Sequence, residues 1–186
     1  MLAGTVLITG PTSGLGRALA LEVAGRPETD RPDLLLVGRP GERLTEVVDL
    51  VRAAGATAEA IPCDLSRLAD LRAAAATAKD LLTKGAVRPL HALVANAGFS
   101  TADTRVASAD GYEMTFAVNY LAHAQLIGDL LDSFAPPARI ILLGSNVYRG
   151  TLALRMMGVP GPDWRDPVEI AKPASCNGMS ATRSAS

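Results

Sequence analysis

Apolar runs alternate with amphipathic segments along this chain. Val6, Leu7 and Ile8 form a short apolar run suited to a strand buried on both faces, and it ends in a glycine turn before an Ala/Leu-rich segment suited to a helix. After a polar, proline-bearing loop from Gly25 to Pro32, Leu34 to Val37 repeats the apolar run. The two runs lie about thirty residues apart, as a βαβ unit requires. Leu44, Val47, Val48 and Val51 share one helical stripe and predict a second helix that stops near Gly55. Ala58 to Pro62 is a weaker strand, and Leu68, Leu71, Ala75, Ala78 and Leu82 predict a third helix, with Ser66 or Asp64 in place to cap it. Leu90 to Val94 reads as a fourth strand. Ser108 or Asp110 is placed to cap a long helix running to about Phe134, and Arg139 to Leu143 reads as a fifth strand closing on Gly144-Ser145. From Tyr148 onward, glycines and prolines break the pattern, and Ser175 to Ser186 is small and polar, so this stretch reads as a loop and a loose tail. The alternation of strand and helix predicts an α/β fold with a doubly wound parallel sheet in three layers.

Composition narrows the function classes. The 186 residues are 48% hydrophobic with a formal net charge of -1, which describes one globular domain able to bury a sizeable core. So even a balance disfavours nucleic acid as a partner and favours a small neutral or anionic ligand. Met1 to Gly4 has no basic leader, and no apolar run is long enough to span a bilayer, so the expected location is the cytoplasm. Cys63 and Cys176 are far apart and lack metal-ligand spacing, which reads as reduced thiols with no metal site.

The glycine turn carries the chemistry. Gly10, Gly14 and Gly16 stand where the backbone must bend sharply, approach a ligand without an intervening Cβ and let a helix pack close on a strand. The free N–H groups and positive end of that helix suit an anion, most simply a pyrophosphate. No Gly-Lys-Ser/Thr follows, which disfavours a nucleoside-triphosphate loop.

With Thr9 before it, the run Thr9-Gly10-x-x-x-Gly14-x-Gly16 resembles the cofactor signature of the short-chain dehydrogenase/reductase family. Thr12, Ser13 and Leu15 belong to the same turn. Further motifs follow in the family's order. Asp64-Leu65 matches the pair that borders the adenine, although locally Asp64 also fits a cap. Asn96-Ala97-Gly98 matches the Asn-Ala-Gly core of the family's Asn-Asn-Ala-Gly, with Ala95 in place of the first Asn. Asn119 falls in a segment resembling the central helix, where the family's Asn shapes a proton relay, and Ser145 takes the place of the Ser that hydrogen-bonds the substrate oxygen. His123 reads as a packed or hydrogen-bonded side chain. Arg39, at the end of the second strand where an Asp or Glu would accept from a ribose 2′-OH, is suited to a 2′-phosphate and favours NADP(H) over NAD(H).

The resemblance implies a Rossmann-type domain over residues 1–147, with 148–186 a loop and irregular tail of the same domain and the C-terminal strands missing. It implies hydride transfer on a small carbonyl or alcohol substrate, and a homo-oligomer is compatible with it. The family's Tyr-x-x-x-Lys is absent: the tyrosines are 112, 120 and 148, the lysines 79, 84 and 172, and no pair has the spacing. Impaired catalysis is therefore expected, the alternatives being a non-catalytic NADP(H)-binding protein or a truncated inactive homologue. The Trp164 to Pro167 region is similar to the insertion that separates Ser from Tyr in the branch resembling retinol dehydrogenases and protochlorophyllide reductases.

Overall fold

In a computed structural model, residues 4–101, 103–144, 156 and 166–174 are described. Five strands form one parallel sheet in the order β3-β2-β1-β4-β5, with β1 at Thr5–Thr9, β2 at Asp33–Gly38, β3 at Ala58–Pro62, β4 at Leu90–Ala95 and β5 at Phe134–Leu142. The helices are α1 (Gly14–Ala24), α2 (Glu42–Ala53), α3 (Leu68–Thr83), α4 (Met114–Phe116), α5 (Ala122–Leu130) and α6 (Pro167–Ile170). The chain divides into two compact units, residues 1–97 with 125–143, and residues 98–124 with 144–186.

Strand alternation explains the first unit's core. Ile8, Leu34, Leu36 and Val94 pack with Ala20 and Ala24 of α1 and with Leu44, Val47, Val48 and Val51 of α2. Leu7 and Leu35, one residue out of phase, are also fully buried, so β1 and β2 are covered on both faces as a parallel sheet requires. The α3 stripe is Leu71, Ala74, Ala75 and Ala78, small enough for close helix–sheet approach. Asp33 and Arg88 tie the amino end of β2 to the loop before β4 through two side-chain bonds of 2.8 and 3.1 Å.

Several local expectations are corrected. The cap of the long helix is neither Ser108 nor Asp110. The Glu113 carboxylate takes the Phe116 N–H at 2.7 Å, while Ser108 accepts from Tyr112 N–H four residues downstream and holds the preceding turn. The helical run from Met114 to Leu130 is unbroken but contains a π turn at Ala117–Leu121 between α4 and α5. It ends at Leu130, and β5 begins at Phe134, upstream of the expected Arg139, with Pro136 and Pro137 in an irregular stretch of the strand where the register with β4 shifts. Ser66 does not cap α3, whose N-cap position is Arg67. In the stretch expected to be a loop and tail, Pro167–Ile170 is a helical turn, with Asp166 accepting from Val168 N–H at 2.8 Å and Ile170 and Ala171 buried against Phe116 and Leu121.

Candidate dinucleotide cradle

The sheet order reverses direction at β1, which pairs with β2 on one side and β4 on the other, so the carboxyl ends of β1 and β4 open a crevice between them. Gly10 follows β1 there and Asn96 follows β4. Gly10 has φ +66, and a Cβ on it would stand 2.9 Å from Ala97 Cα. At Gly16 a Cβ would collide with the Gly10 carbonyl oxygen and with Asn96 Nδ2. These two glycines are therefore needed for the chain to pack upon itself. Gly14 differs, since its φ is +53 and nothing lies within 4 Å of the Cβ position, leaving the outer side of the turn open.

Asn96 and Thr9 hold this turn in shape. The Asn96 amide donates from Nδ2 to the Thr9 carbonyl at 2.9 Å and to the Gly10 carbonyl at 3.1 Å. The Thr9 hydroxyl accepts the N–H of Asn96 and that of Ala97, each at 3.0 Å. Asn96 is thus a brace on the cradle, its amide donors engaged with main chain. Thr9 is not among the expected site residues although it opens the signature run, and the structure gives it the role of tying the end of β4 to the turn.

The cradle meets the demands of a diphosphate. Ser13, at the N-cap of α1, makes no side-chain capping bond, and the first turn of α1 carries no acidic residue. Ser13, Gly14 and Leu15 are exposed and Thr12 is half-buried, so the positive end of the helix faces open space. A Cβ at Gly38 would lie 3.4 Å from Pro11 and 3.6 Å from Thr12, which brings the end of β2 against the turn and sets exposed Arg39 just beyond it. Arg17 forms an ion pair with Glu46 at 3.2 Å. The residues present fit a dinucleotide.

Other expected site residues fall elsewhere. Asp64 turns its carboxylate onto its own loop, accepting from Ser66 N–H at 3.0 Å and Ser66 Oγ at 2.8 Å, while Leu65 is buried. An aliphatic groove of about 460 Å³ lined by Leu15, Ala18, Leu19, Glu22, Asn96 and Leu143 runs beside α1. Its lining and the Glu22 carboxylate suit no phosphate, so it is not the cradle.

In the second unit Asn119, inside the π turn, clamps the peptide after Gly98: its Oδ1 accepts from Phe99 N–H at 2.7 Å and its Nδ2 donates to Phe99 O at 2.8 Å. The helix-breaking side chain is thereby satisfied by a specific partner, and a π turn frees main-chain groups that an α-helix would engage. His123 is buried, with Nδ1 3.2 Å from the Asn119 carbonyl. Burial lowers its pKa, a shift that the hydrogen bond to Asn119 partly opposes. Ser145 and Tyr148 lie outside the described residues.

The short chain dehydrogenase family model matches residues 4–154. The chain is 31% identical over 148 residues to the short-chain dehydrogenase iccH of Talaromyces variabilis, covering 76% of this chain and 40% of that protein. It is 35% identical over 148 residues to the chloroplastic protochlorophyllide reductase A of Oryza sativa subsp. japonica, covering 76% of this chain and 36% of that one. The chain thus spans well under half the length of these curated relatives. A solved short chain dehydrogenase/reductase from Burkholderia phymatum, in complex with NAD, superposes with a TM-score of 0.63 at 27% identity, covering 78% of this chain and 50% of that chain. Similarity of this extent, with the braced glycine cradle inside it, makes the chain a member of the short-chain dehydrogenase/reductase family.

Proposed function

We propose that this chain binds NADP(H) in preference to NAD(H) and is the cofactor-holding part of an oxidoreductase that moves a hydride to or from a carbonyl or alcohol carbon. The observation that carries the reading is the cradle itself: an open left-handed Gly14, an uncapped α1 N-terminus free of acids, and Arg39 just past the end of β2. Bound there, a nicotinamide dinucleotide supplies a hydride donor or acceptor. The first-turn N–H groups of α1 hold the diphosphate and Arg39 pairs with the 2′-phosphate. Asp64 and Leu65 border the adenine, while Ala97 and Gly98 allow a flat group close to the main chain. Ser145 hydrogen-bonds the substrate oxygen, and Asn119 orders the strand-end peptide through Phe99.

Fluorescence titration with NADPH and NADH tests the reading. Arg39→Ala should weaken NADPH binding about tenfold or more, the scale of one lost charge-assisted hydrogen-bonded pair, and leave NADH nearly unchanged. Equal losses for both cofactors would remove the assignment of Arg39 to the phosphate, and no binding of either would remove the cradle. A second reading, a cofactor-binding protein without turnover, is favoured by the absence of Tyr-x-x-x-Lys from these 186 residues. Within these 186 residues no such pair supplies an acidified phenol to exchange the proton that accompanies hydride transfer. Saturable NADPH binding with no carbonyl-dependent oxidation of it would select this second reading.

A further inference from the structure

A charge pair joins the starts of α1 and α2 on the side of the cradle where Arg39 stands. Arg17 closes the first turn of α1, its N–H bonded to Ser13 O at 3.2 Å, and its Nη2 lies 3.2 Å from Oε1 of Glu46. Glu46 follows the first residue of α2 by four positions, about 6 Å along the helix axis. The end of β2 comes between the two helix starts: a Cβ at Gly38 would lie 3.4 Å from Pro11 and 3.6 Å from both Thr12 and Leu44. Val37 O accepts from Gly10 N–H at 2.9 Å and Gly38 O from Cys63 N–H at 2.8 Å, so the main chain leading to Arg39 is pinned. Three arginines gather at this corner, Arg17, Arg39 and Arg43, and among the described residues only Arg17 of the three pairs with a carboxylate. The Arg17 and Glu46 side chains are 39% and 62% exposed, so their pairing adds little to stability and either can be replaced without unfolding the chain.

Resting on the reading of the cradle as an NADP(H) site, we propose that Glu46 sets how strongly that site favours the 2′-phosphate, by cancelling the charge of Arg17. The pair carries no net charge, which leaves Arg39 and the α1 N-terminus to hold the anion. Without Glu46 the corner gains one positive charge, and the guanidinium released from α2 is able to turn toward an anion. Without Arg17 the Glu46 carboxylate is bare beside the same site and repels one. A merely structural strut behaves differently, since losing either end of it loosens α1 from α2 alike. The charge account therefore gives the two single variants opposite signs. NADPH carries a phosphate dianion that NADH lacks, so it responds more. Exposed charges are screened over about 8–10 Å near physiological salt, so the response fades as salt rises.

Fluorescence titration of the full chain with NADPH and NADH, at low and at high salt, tests the proposal. At low salt Glu46→Gln should tighten NADPH binding about two- to fivefold, and Arg17→Gln should weaken it by a similar factor, the scale of one exposed charge acting on a dianion in water. The double variant should return close to the parent, NADH should shift less in every case, and high salt should bring all four proteins together. Singles that shift NADPH binding in the same direction, or that leave it unchanged at low salt, would overturn the role of Glu46 while leaving the cradle and Arg39 in place. A parent chain that binds neither cofactor would remove the cradle reading and this inference with it.

Discussion

Gly16→Ala is the substitution that probes the cradle most directly. In an exposed helix the change stabilises, by about 1 kcal/mol, because alanine has less freedom to lose on folding. At Gly16 the new methyl would collide with the Gly10 carbonyl oxygen and with Asn96 Nδ2, and would stand 3.0 Å from the Gly10 carbonyl carbon. Two of those atoms are main chain and the third is held by bonds of 2.9 and 3.1 Å, so none is a flexible side-chain end that can swing away. Overpacking of this kind costs about 1–3 kcal/mol, and displacing Asn96 forfeits part of two hydrogen bonds worth about 1 kcal/mol each. After the helix-propensity gain, a net loss of about 2–3 kcal/mol remains. Gly128 in α5 is the internal control, since nothing lies within 4 Å of its Cβ position and its φ is not positive. Gly128→Ala should stabilise by about 0.5–1 kcal/mol. Urea unfolding followed by circular dichroism reads both variants against the parent. Gly16→Ala at or above parental stability, with Gly128→Ala behaving as expected, would refute the close approach of α1 to the turn.

Three further outcomes follow from the titrating groups. Burial, then the Asp70 and Asp64 charges, pushes the Cys63 thiol up to about 12, so in a Cys176→Ser background the folded protein should resist a disulfide reagent at pH 8 and react fully in denaturant; rapid native labelling there would contradict the burial of Cys63. Burial holds the His123 imidazole below its ordinary pKa, so its contribution to stability is present above the ordinary value and is lost as pH falls below it, because the unfolded chain takes up the proton first. His123→Gln should flatten this part of the stability–pH profile, and an unchanged slope would argue against the buried neutral ring. Burial works to raise the Asp33 pKa, but hydrogen bonds and charge from Arg88 outweigh it and hold the carboxyl below its ordinary value. Its stabilisation is present above the ordinary carboxylate pKa and is lost as acid carries the pH through the lowered one. Asp33→Asn should cost on the order of 1–2 kcal/mol at neutral pH, modest because Arg88 is partly exposed, and less in acid; an equal cost at both pH values would exclude the ionic part.

By itself the sequence determined the elements that depend on neighbouring residues. The short apolar runs Val6 to Ile8 and Leu34 to Val37 and the mostly apolar Leu90 to Val94, each bounded by turn residues, read as strands by their length, and the Leu44 to Val51 stripe as a helix face by its period, so β1, β2, β4 and α2 were legible locally. The bare glycine turn was legible for the same local reason, since the Gly10 and Gly14 φ values exclude a Cβ at low cost.

Tertiary structure decided what depends on residues distant in the chain. Asn96 is a brace because its amide meets the Thr9 and Gly10 carbonyls, more than eighty residues away. Glu113 is the helix cap, ahead of the better local candidates Ser108 and Asp110, because Ser108 is engaged with Tyr112 and Glu113 N–H with Ala171. The same aliphatic pattern is fully buried at Leu34 to Val37 and 41–65% exposed at Ile140 to Leu143. Strand order is a property of pairing across the chain, and no local period encodes it.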